Sequence, residues 1–558
     1  MQLERPWTKS WPKGVPKSVH VEPKPLFTVL TESAKRSPSS PCLFYQGRTL
    51  PYSEVDELSS RFASSLARMG VGKGDRVGIF LPNTPQFVIS YFGILKAGGV
   101  AVACSPLYKA RELEVQLSDS GAKVVVAARD IVKKNDLYQS LEEARDKLSL
   151  EHVITTSVTD FLPPLKKRLA GLAGVKNLRR QGTEDFSDLL RDKATHEKFP
   201  DIDPMEDLAV LQYTGGTTGT VKGAMLTHYN LLSNAVGLSL MLPITDKDVA
   251  LAVLPLFHIY GMSVVMNPTL YSGAQLVLLP SFHVDEVMGA IEKRHVTVFC
   301  GVPTMYIAII SSPKVGKFDM KTVRSCISGG AALPVQVRKK FIELTGGSLV
   351  EGYGLTEASP VTHCNPVHDG VVKDGSVGIP IVETEAAIVD QEDPDKFLGT
   401  GEVGELAVKG AQVMKGYWNQ PEQSAAVLRN GWLLTGDIAK MDSDGYFYIV
   451  DRKKDMVNVG GFKVYPREVE EVLFEHPAVK EASVIGIPDD FSGEAVKAFV
   501  VLKDPSSKVT EKEIIDFCAE RLAKFKVPKK VDFVPDLPKS LVGKVLRRKL
   551  RETSAQRS

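Results

Sequence analysis

The sequence lacks four features that would each place it in a particular class of proteins. Its six cysteines include no close pair, so neither a disulfide framework nor a zinc site is predicted. No apolar run reaches the roughly 18 residues that a membrane-spanning helix needs. The net charge is only +2, so no global basic field indicates nucleic acid as a partner. The first residues, rich in Pro and Lys, lack the apolar core of a signal peptide, and a cytoplasmic protein is expected.

The length and the hydrophobic pattern predict two domains. A chain of 558 residues exceeds what a single core usually organises. Amphipathic helical patterns such as Ser53–Met69 alternate with apolar runs such as Val296–Phe299, which predicts an α/β domain with layered, mostly parallel sheets. Toward the C-terminus the pattern becomes that of a small α+β domain. We therefore place the boundary at Lys454, with an N-terminal domain of residues 1–453 and a C-terminal domain of residues 454–558.

The most specific motif is a glycine-rich loop, YTGGTTGTVKG, at Tyr213–Gly223. Glycine lets backbone N–H groups approach an anion without interference from a Cβ atom, and threonine hydroxyls add further donors. A nucleotide polyphosphate is therefore the predicted ligand. The Walker A loop is only weakly supported, because it needs Gly-Lys followed at once by Ser or Thr, whereas Gly223 follows Lys222. The candidate phosphate contacts are Thr214, Gly215, Gly216, Thr217, Thr218, Gly219 and Lys222.

A second motif, EGYGLTE at Glu351–Glu357, places a hydroxyl beside a carboxylate. Thr356 would donate to a phosphate oxygen, and Glu357 would help to hold Mg²⁺, a hard cation that prefers oxygen ligands. A turn capped by Thr-Glu is the alternative. Upstream, Ser328–Ala332 is a run of small residues against which a flat base could lie.

These motifs, with three later ones, resemble those of the adenylate-forming superfamily, which includes acyl-CoA synthetases, luciferases and peptide-synthetase adenylation domains. The later motifs are WLLTGD, DRKKDMVNVGGFKVYP and LPKSLVGKVLRRKL, and all five occur in the family's order. The resemblance covers nearly the entire chain. The last two motifs are especially similar to those of bacterial-type fatty-acid CoA ligases.

The resemblance implies roles for individual residues. Asp437 would accept both ribose hydroxyls, with Arg452 assisting, and Thr217 and Glu357 would take part in catalysis. Lys454 would be the pivot between two arrangements of the small domain, a homodimer is the implied assembly, and ATP and CoA are the implied cosubstrates. The implied adenine pocket consists of Gly329, Gly330, Ala331, Gly352, Tyr353 and Gly354. The implied thioester-forming loop contains Gly460 and Gly461, with Lys463 close by.

Lys544, near the C-terminus, is the candidate catalytic lysine. It follows Gly543 and so lies on a flexible tip. Acyl adenylation brings a carboxylate toward an α-phosphate, and a lysine inserted between them would stabilise the charge that builds up in the transition state. Taken alone, it could be one more lysine of a basic tail. The match to the family's catalytic-lysine motif favours the catalytic role.

The segment after the phosphate loop indicates the acid substrate. Amino-acid-activating relatives carry an Asp there, whereas Pro255–Val265 contains no acid, which suits an apolar tail. His258, Val264 and Gly301 are candidate pocket residues, although His258 could equally be structural. The predicted activity is a two-step fatty-acid CoA ligase for long or medium-to-long chains. Alternatives are an aryl or medium-chain acid CoA ligase, a carrier-protein acyl-AMP ligase, and a nucleotide-binding regulator without turnover.

Residues 161–180 form a basic segment with six Lys or Arg and no acid. Leu165, Leu169, Leu172 and Val175 fall on one face of a predicted helix. Such a helix can lie on an anionic membrane surface, here the inner face of the membrane. The alternative is an ordinary surface helix with a solvated basic face.

Overall fold

A computed structural model describes residues 5–132, 135–191, 199–214, 221–489, 491–539 and 545–557. One mostly parallel sheet dominates the N-terminal part, and only its last strand pair is antiparallel. In spatial order its strands are Glu184–Asp185, His152–Thr156, Val124–Ala128, Arg76–Phe80, Val100–Ala103, Leu208–Thr214 and Lys222–Thr227. This arrangement confirms the predicted α/β class.

Two further sheets lie beside it, each containing parallel and antiparallel pairs. One has, in order, Val249–Ala252, Gln275–Leu278, Pro41–Tyr45 and Arg48–Pro51; the other has Ser325–Ser328, Ser348–Gly354, Val361–Cys364 and Ile379–Pro380. The prediction of a strand over Val296–Phe299 is wrong in detail. Only Val298 forms a parallel bridge, to Ala250 on one side and Ser325 on the other. A short, mostly apolar run indicates that a segment is buried. Burial alone does not show that the segment pairs with neighbours as a strand.

An antiparallel sheet precedes the C-terminal part. Its strands are Thr384–Val389, Gly404–Gly410, Trp432–Met441 and Leu428–Arg429, with Phe447–Arg452 paired to Trp432–Met441. Beyond it, a small sheet contains Phe462–Val464, Val457–Val459, Gly493–Leu502, Val479–Asp489 and Lys530–Phe533. Helices Pro466–Glu475 and Glu511–Ala519 contribute to an apolar cluster formed by residues of this sheet and its helices. The C-terminal part therefore has an α+β core of its own.

The helices of the N-terminal part flank the sheets. Their bounds are Thr28–Arg36, Tyr52–Arg68, Pro85–Lys96, Ala110–Ser120, Gln139–Ala144, Pro164–Leu172, Phe186–Arg191, His228–Met241, Asn267–Tyr271, Val284–Arg294, Pro303–Ile310, Val335–Thr345 and Pro421–Val427; Arg547–Arg557 is a helix of the C-terminal part. The helix predicted over Ser53–Met69 is confirmed at Tyr52–Arg68, with Val55, Phe62 and Leu66 buried. In the described part of the chain, no helix combines the length and apolar character needed to cross a bilayer.

The basic segment 161–180 is helical over a shorter stretch than predicted. The helix spans Pro164–Leu172, and Val175 instead begins the strand Val175–Asn177, which pairs with Asp130–Val132. Gly174, between them, has a φ of +90°, a left-handed conformation that favours glycine and ends the helix.

Candidate active site

Two antiparallel strands flank the predicted phosphate loop. The strands Leu208–Thr214 and Lys222–Thr227 pair with Thr214 opposite Lys222, and the Thr214 hydroxyl donates to the Lys222 carbonyl at 3.4 Å. The two ends of the loop therefore lie side by side. The predicted contacts that lie outside the described residues are Gly215, Gly216, Thr217, Thr218 and Gly219.

The Lys222 ammonium has two neighbours from a single later segment. Its Nζ donates to Gln423 Oε1 at 2.8 Å and lies 4.9 Å from the centroid of the Tyr417 ring. The second distance is within the range of a cation–π interaction. These contacts fix the direction of the lysine at the edge of the loop.

Glu357 contacts the same tyrosine. It lies in the short turn Thr356–Ala358, which follows the strand Ser348–Gly354. Its Oε1 accepts a hydrogen bond from the Tyr417 hydroxyl at 2.7 Å. Burial and the adjacent carboxylate raise the pKa of the Tyr417 phenol, so the hydroxyl stays protonated and remains a donor. Sequence reasoning missed Tyr417, because no local pattern connects it to a residue so distant in the chain.

The surroundings of Glu357 fit a shared Mg²⁺ site. Within the described ranges, no group of three or more His, Cys, Asp or Glu side chains is placed to hold a metal by itself. Mg²⁺ usually binds through one or two carboxylates together with substrate phosphates. A single half-buried carboxylate at the edge of a phosphate loop has the oxygen chemistry that such a shared site requires.

Tyr353, predicted for the adenine pocket, joins Asp437 and Arg452, the two residues predicted at the ribose. Asp437 lies opposite Arg452 across two antiparallel strands, and Arg452 Nε donates to its Oδ1 at 2.9 Å. The Tyr353 hydroxyl donates to the other oxygen, Oδ2, at 2.5 Å. The Asp437 side chain is 3% exposed and that of Arg452 is 36% exposed, so the carboxylate is buried behind its partners. Asp437 is the main cause of the raised Arg452 pKa, to which Glu357 also contributes.

The predicted adenine pocket begins at the end of the strand Ser325–Ser328. Three predicted small residues follow this strand, namely Gly329, Gly330 and Ala331. Gly330 has a φ of +81°, which favours glycine. The buried Glu351 supports this loop, because its carboxylate accepts a hydrogen bond from the Leu333 N–H at 3.0 Å. Burial raises the pKa of Glu351 to about 7. Sequence reasoning predicts no role for this carboxylate.

The other side of the predicted pocket is a strand on which two glycines have close neighbours. Gly352 and Gly354 flank Tyr353. A Cβ atom on Gly354 would lie 2.0 Å from the Pro360 carbonyl oxygen, and one on Gly352 would lie 2.9 Å from the Ile327 side chain. Glycine at 354 therefore lets the turn carrying Glu357 fold back on this strand.

Tyr260 joins the residues of the predicted acyl pocket. Its N–H donates to His258 Nδ1 at 3.1 Å, and its hydroxyl donates to the carbonyls of Gly301 at 3.2 Å and Ile327 at 2.9 Å. Val264 lies buried in the adjoining π-helix Gly261–Met266. The structure thus brings His258 and Gly301 to one residue, Tyr260, that sequence reasoning missed: His258 through the Tyr260 backbone N–H and Gly301 through the Tyr260 hydroxyl.

Asn83 fixes the backbone that leads into this segment. Its buried amide donates to the carbonyls of Ala252 at 3.0 Å and Leu254 at 2.9 Å, and its Oδ1 accepts from the Leu256 N–H at 2.8 Å. Three hydrogen bonds from one buried side chain leave this stretch little freedom.

The two glycines of the predicted thioester loop form a tight turn. Gly460 and Gly461 have φ values of +59° and +88°, as a two-residue hairpin turn requires. Lys463 Nζ lies 3.4 Å from Gln391 Oε1. In the described part of the chain, no hydrogen bond joins these three residues to the predicted ribose group or to Glu357.

Lys544 lies outside the described residues, but Arg547 shortly after it is firmly anchored. Arg547 donates to Asp451 Oδ1 at 3.0 Å and to both oxygens of Glu470 at 2.8 Å. Asp451 shortly precedes the predicted pivot Lys454. This ion-pair cluster ties the C-terminal end of the lysine motif to the predicted hinge.

Comparison with known proteins identifies relatives along the whole chain. The family model for AMP-binding enzymes matches residues 30–418, and that for the AMP-binding enzyme C-terminal domain matches residues 468–544. The chain is 43% identical to the long-chain-fatty-acid–CoA ligase of Bacillus subtilis (strain 168), covering 100% of this chain and 99% of that protein. It is 39% identical to the long-chain-fatty-acid–CoA ligase of Escherichia coli O157:H7, and the match covers 99% of this chain and 98% of that protein. The crystal structure of the anthranilate CoA ligase AuaEII in complex with anthranoyl-AMP matches with a TM-score of 0.85 at 29% identity. The match covers 96% of this chain and 98% of that one.

Proposed function

Since the chain belongs to the family of AMP-binding enzymes, we propose that it is an ATP-dependent long-chain fatty-acid–CoA ligase. The observation that carries this proposal is its 43% identity to the Bacillus subtilis ligase over the full length of both proteins. The acid-free segment Pro255–Val265 supports an apolar substrate, because an unpaired buried carboxylate beside an acyl tail would be costly.

The first step joins the fatty acid to ATP. A carboxylate oxygen attacks the α-phosphorus, and the bond from this phosphorus to the bridging oxygen breaks, so that pyrophosphate leaves with the electron pair. Two anions must approach each other in this step. We assign Lys544 to the charge that develops at the α-phosphate, and Thr217 and Lys222 to the polyphosphate.

The nucleotide is held by two groups of residues. Asp437, with Arg452 and Tyr353 as its partners, would accept the ribose hydroxyls, and the loop at Gly329–Ala331 would lie against the base. Glu357, beside Thr356, would hold Mg²⁺. When bound, Mg²⁺ would neutralise phosphate charge as a Lewis acid.

The second step transfers the acyl group to CoA. The CoA thiolate attacks the acyl carbonyl carbon, the bond to AMP breaks, and the thiol proton passes to solvent. We propose that a small domain of residues 454–558 rotates about Lys454 against residues 1–453. This rotation would exchange Lys544 for Gly460, Gly461 and Lys463 at the site.

A panel of acids tests the substrate. With ATP and CoA, pyrophosphate release should rise from acetate toward C12–C18 acids, since each buried methylene contributes about 0.8 kcal/mol. Anthranilate and benzoate are the comparison, because the anthranilate CoA ligase AuaEII is a structural neighbour. If activity with these aryl acids is higher than with palmitate, the substrate is an aryl acid and not a fatty acid. The proposed adenylation chemistry would be unaffected.

Two other activities are distinguished by the product. A carrier-protein acyl-AMP ligase would release pyrophosphate with fatty acid but would not release AMP on addition of CoA. A nucleotide-binding regulator would release neither product. CoA-dependent release of AMP is therefore the decisive measurement.

A homodimer is the assembly that the family resemblance implies, and we include it in the proposal. The homodimer is supported by the family resemblance alone. Analytical ultracentrifugation would separate it from a monomer of 60.9 kDa.

We further propose that residues 161–180 contact an anionic membrane surface on the cytoplasmic side. The helix Pro164–Leu172 carries Leu165, Leu169 and Leu172 with exposed fractions of 70%, 52% and 86%. Their spacing puts them on one stripe of the helix, and the segment has six basic residues and no acid. Exposed leucines beside lysine and arginine are typical of a helix that lies in the headgroup region.

Charge reversal tests this contact. A variant with Lys166→Glu, Arg168→Glu and Lys176→Glu should bind phosphatidylserine vesicles about 100-fold more weakly in co-sedimentation, because each basic residue near such a surface contributes about 1 kcal/mol. Lys167 is left unchanged because it pairs with Asp160.

Lys339→Glu with Lys340→Glu, on an exposed helical face elsewhere, is the control for charge reversal at an unrelated surface, with two reversed charges against three. Unchanged vesicle binding in the triple variant, or equal losses in both variants, would contradict a specific role for the segment.

A further inference from the structure

Residues 414–418 lie alongside the second of the two strands that flank the predicted phosphate loop. The Met225 N–H donates to the Gly416 carbonyl at 2.9 Å, and the Trp418 N–H donates to the Gly223 carbonyl at 2.8 Å. These backbone bonds add the segment to the open edge of the strand. The segment is therefore fixed to the element that begins with Lys222.

The same segment holds Glu357 at two points. The Met414 N–H donates to the Glu357 carbonyl at 2.8 Å, and the Tyr417 hydroxyl donates to Glu357 Oε1 at 2.7 Å. Tyr417 is buried. Both the backbone and the carboxylate of Glu357 are thus fixed relative to this strand pair.

The ring of Tyr417 also contacts the cation of that strand pair. Lys222 Nζ lies 4.9 Å from the ring centroid and is held from another side by Gln423. One buried side chain therefore contacts both the carboxylate assigned to Mg²⁺ and the ammonium assigned to the polyphosphate.

We infer that Tyr417 is a positioning residue that orients the Glu357 carboxylate for Mg²⁺–ATP. Its hydroxyl occupies one side of Oε1 and so restricts rotation of the carboxylate, which presents its remaining acceptor sites to a cation. Ligating carboxylates are generally oriented by such hydrogen bonds. This inference rests on the proposed function, since it takes Glu357 as a ligand of Mg²⁺.

Tyr417→Phe removes the hydroxyl and keeps the ring over which Lys222 lies. The Mg²⁺ concentration that gives half-maximal ATP binding should rise about 10-fold, because loss of a hydrogen-bond partner of a ligand weakens metal binding by that order. ATP binding in EDTA should change little. Both quantities are measured by the thermal shift that ATP produces, and electron paramagnetic resonance of Mn²⁺ in place of Mg²⁺ gives a second readout that is independent of turnover.

Two further variants separate this role from a structural one. Tyr446→Phe is the matched control, because the Tyr446 hydroxyl donates to the Val371 carbonyl at 2.6 Å and Lys373 Nζ lies 4.6 Å from its ring. It should leave the Mg²⁺ dependence unchanged. Tyr417→Leu removes the ring as well and should additionally weaken ATP binding in EDTA.

The outcomes distinguish this inference from the function on which it rests. If Tyr417→Phe keeps the wild-type Mg²⁺ dependence while the wild type forms acyl-AMP, the inference is wrong and the function stands. The inference is equally wrong if Tyr446→Phe shifts the Mg²⁺ dependence by as much as Tyr417→Phe does. If the wild type shows neither Mg²⁺-dependent ATP binding nor pyrophosphate release, both the inference and the function are overturned.

Discussion

Lys544→Ala is expected to lower the rate of acyl-adenylate formation by about 10²–10³-fold, the loss typical when a group that stabilises transition-state charge is removed. Thioester formation from supplied acyl-AMP and CoA should remain close to the wild-type rate. The reason is that charge crowds at the α-phosphate only while the carboxylate attacks. In the second step the nucleophile attacks the carbonyl carbon instead, and the proposed rotation has moved Lys544 away.

The two half-reactions are measured separately, as pyrophosphate release without CoA and as AMP release from synthetic acyl-AMP. Arg547 keeps its partners Asp451 and Glu470 in the variant, so the segment stays attached to the hinge. Lys549→Ala, in the same basic tail and exposed, is the matched control and should leave both rates unchanged. Equal losses of both half-reactions in Lys544→Ala would contradict the proposed alternation of the small domain.

Local patterns predicted the elements of the fold well where one face of an element is buried. The helix at Tyr52–Arg68 was predictable to within a residue, because Val55, Phe62 and Leu66 repeat at helical spacing and are buried. The conformation of Val296–Phe299 was not predictable, because a short, mostly apolar run indicates burial without showing whether a hydrogen-bonded ladder forms. Only Val298 forms a bridge there.

The motifs predicted that Asp437 and Arg452 form one group, and they could not predict which other residues support it. The structure pairs these two residues and adds Tyr353, which the resemblance placed in the adenine pocket, as a second donor to Asp437. Tyr417 and Tyr260 carried no local signal. Each acts through contacts with segments distant in the chain, and such contacts depend on tertiary packing.

Asp437→Ala is expected to raise the dissociation constant for ATP by about 100-fold or more. Two losses combine: the ribose hydroxyls lose their proposed acceptor, and Arg452 and Tyr353 lose the carboxylate to which both donate. Truncating one member of a buried, hydrogen-bonded charge pair typically costs about 2–5 kcal/mol. Binding is measured by titration calorimetry with ATP and with 2′-deoxy-ATP.

The ratio of the two nucleotides separates recognition from structural damage. The wild type should bind ATP more tightly than 2′-deoxy-ATP, because the deoxy analogue lacks one of the two hydroxyls that are proposed to donate to Asp437. Asp437→Ala should bind both equally, since the discriminating oxygen is gone. Asp248→Ala is the matched control: it breaks another buried ion pair, in which Arg324 donates at 2.9 and 2.7 Å, and it should lower stability while preserving the ratio. If Asp437→Ala still prefers ATP by the wild-type factor, Asp437 holds Arg452 and Tyr353 in place without contacting the ribose.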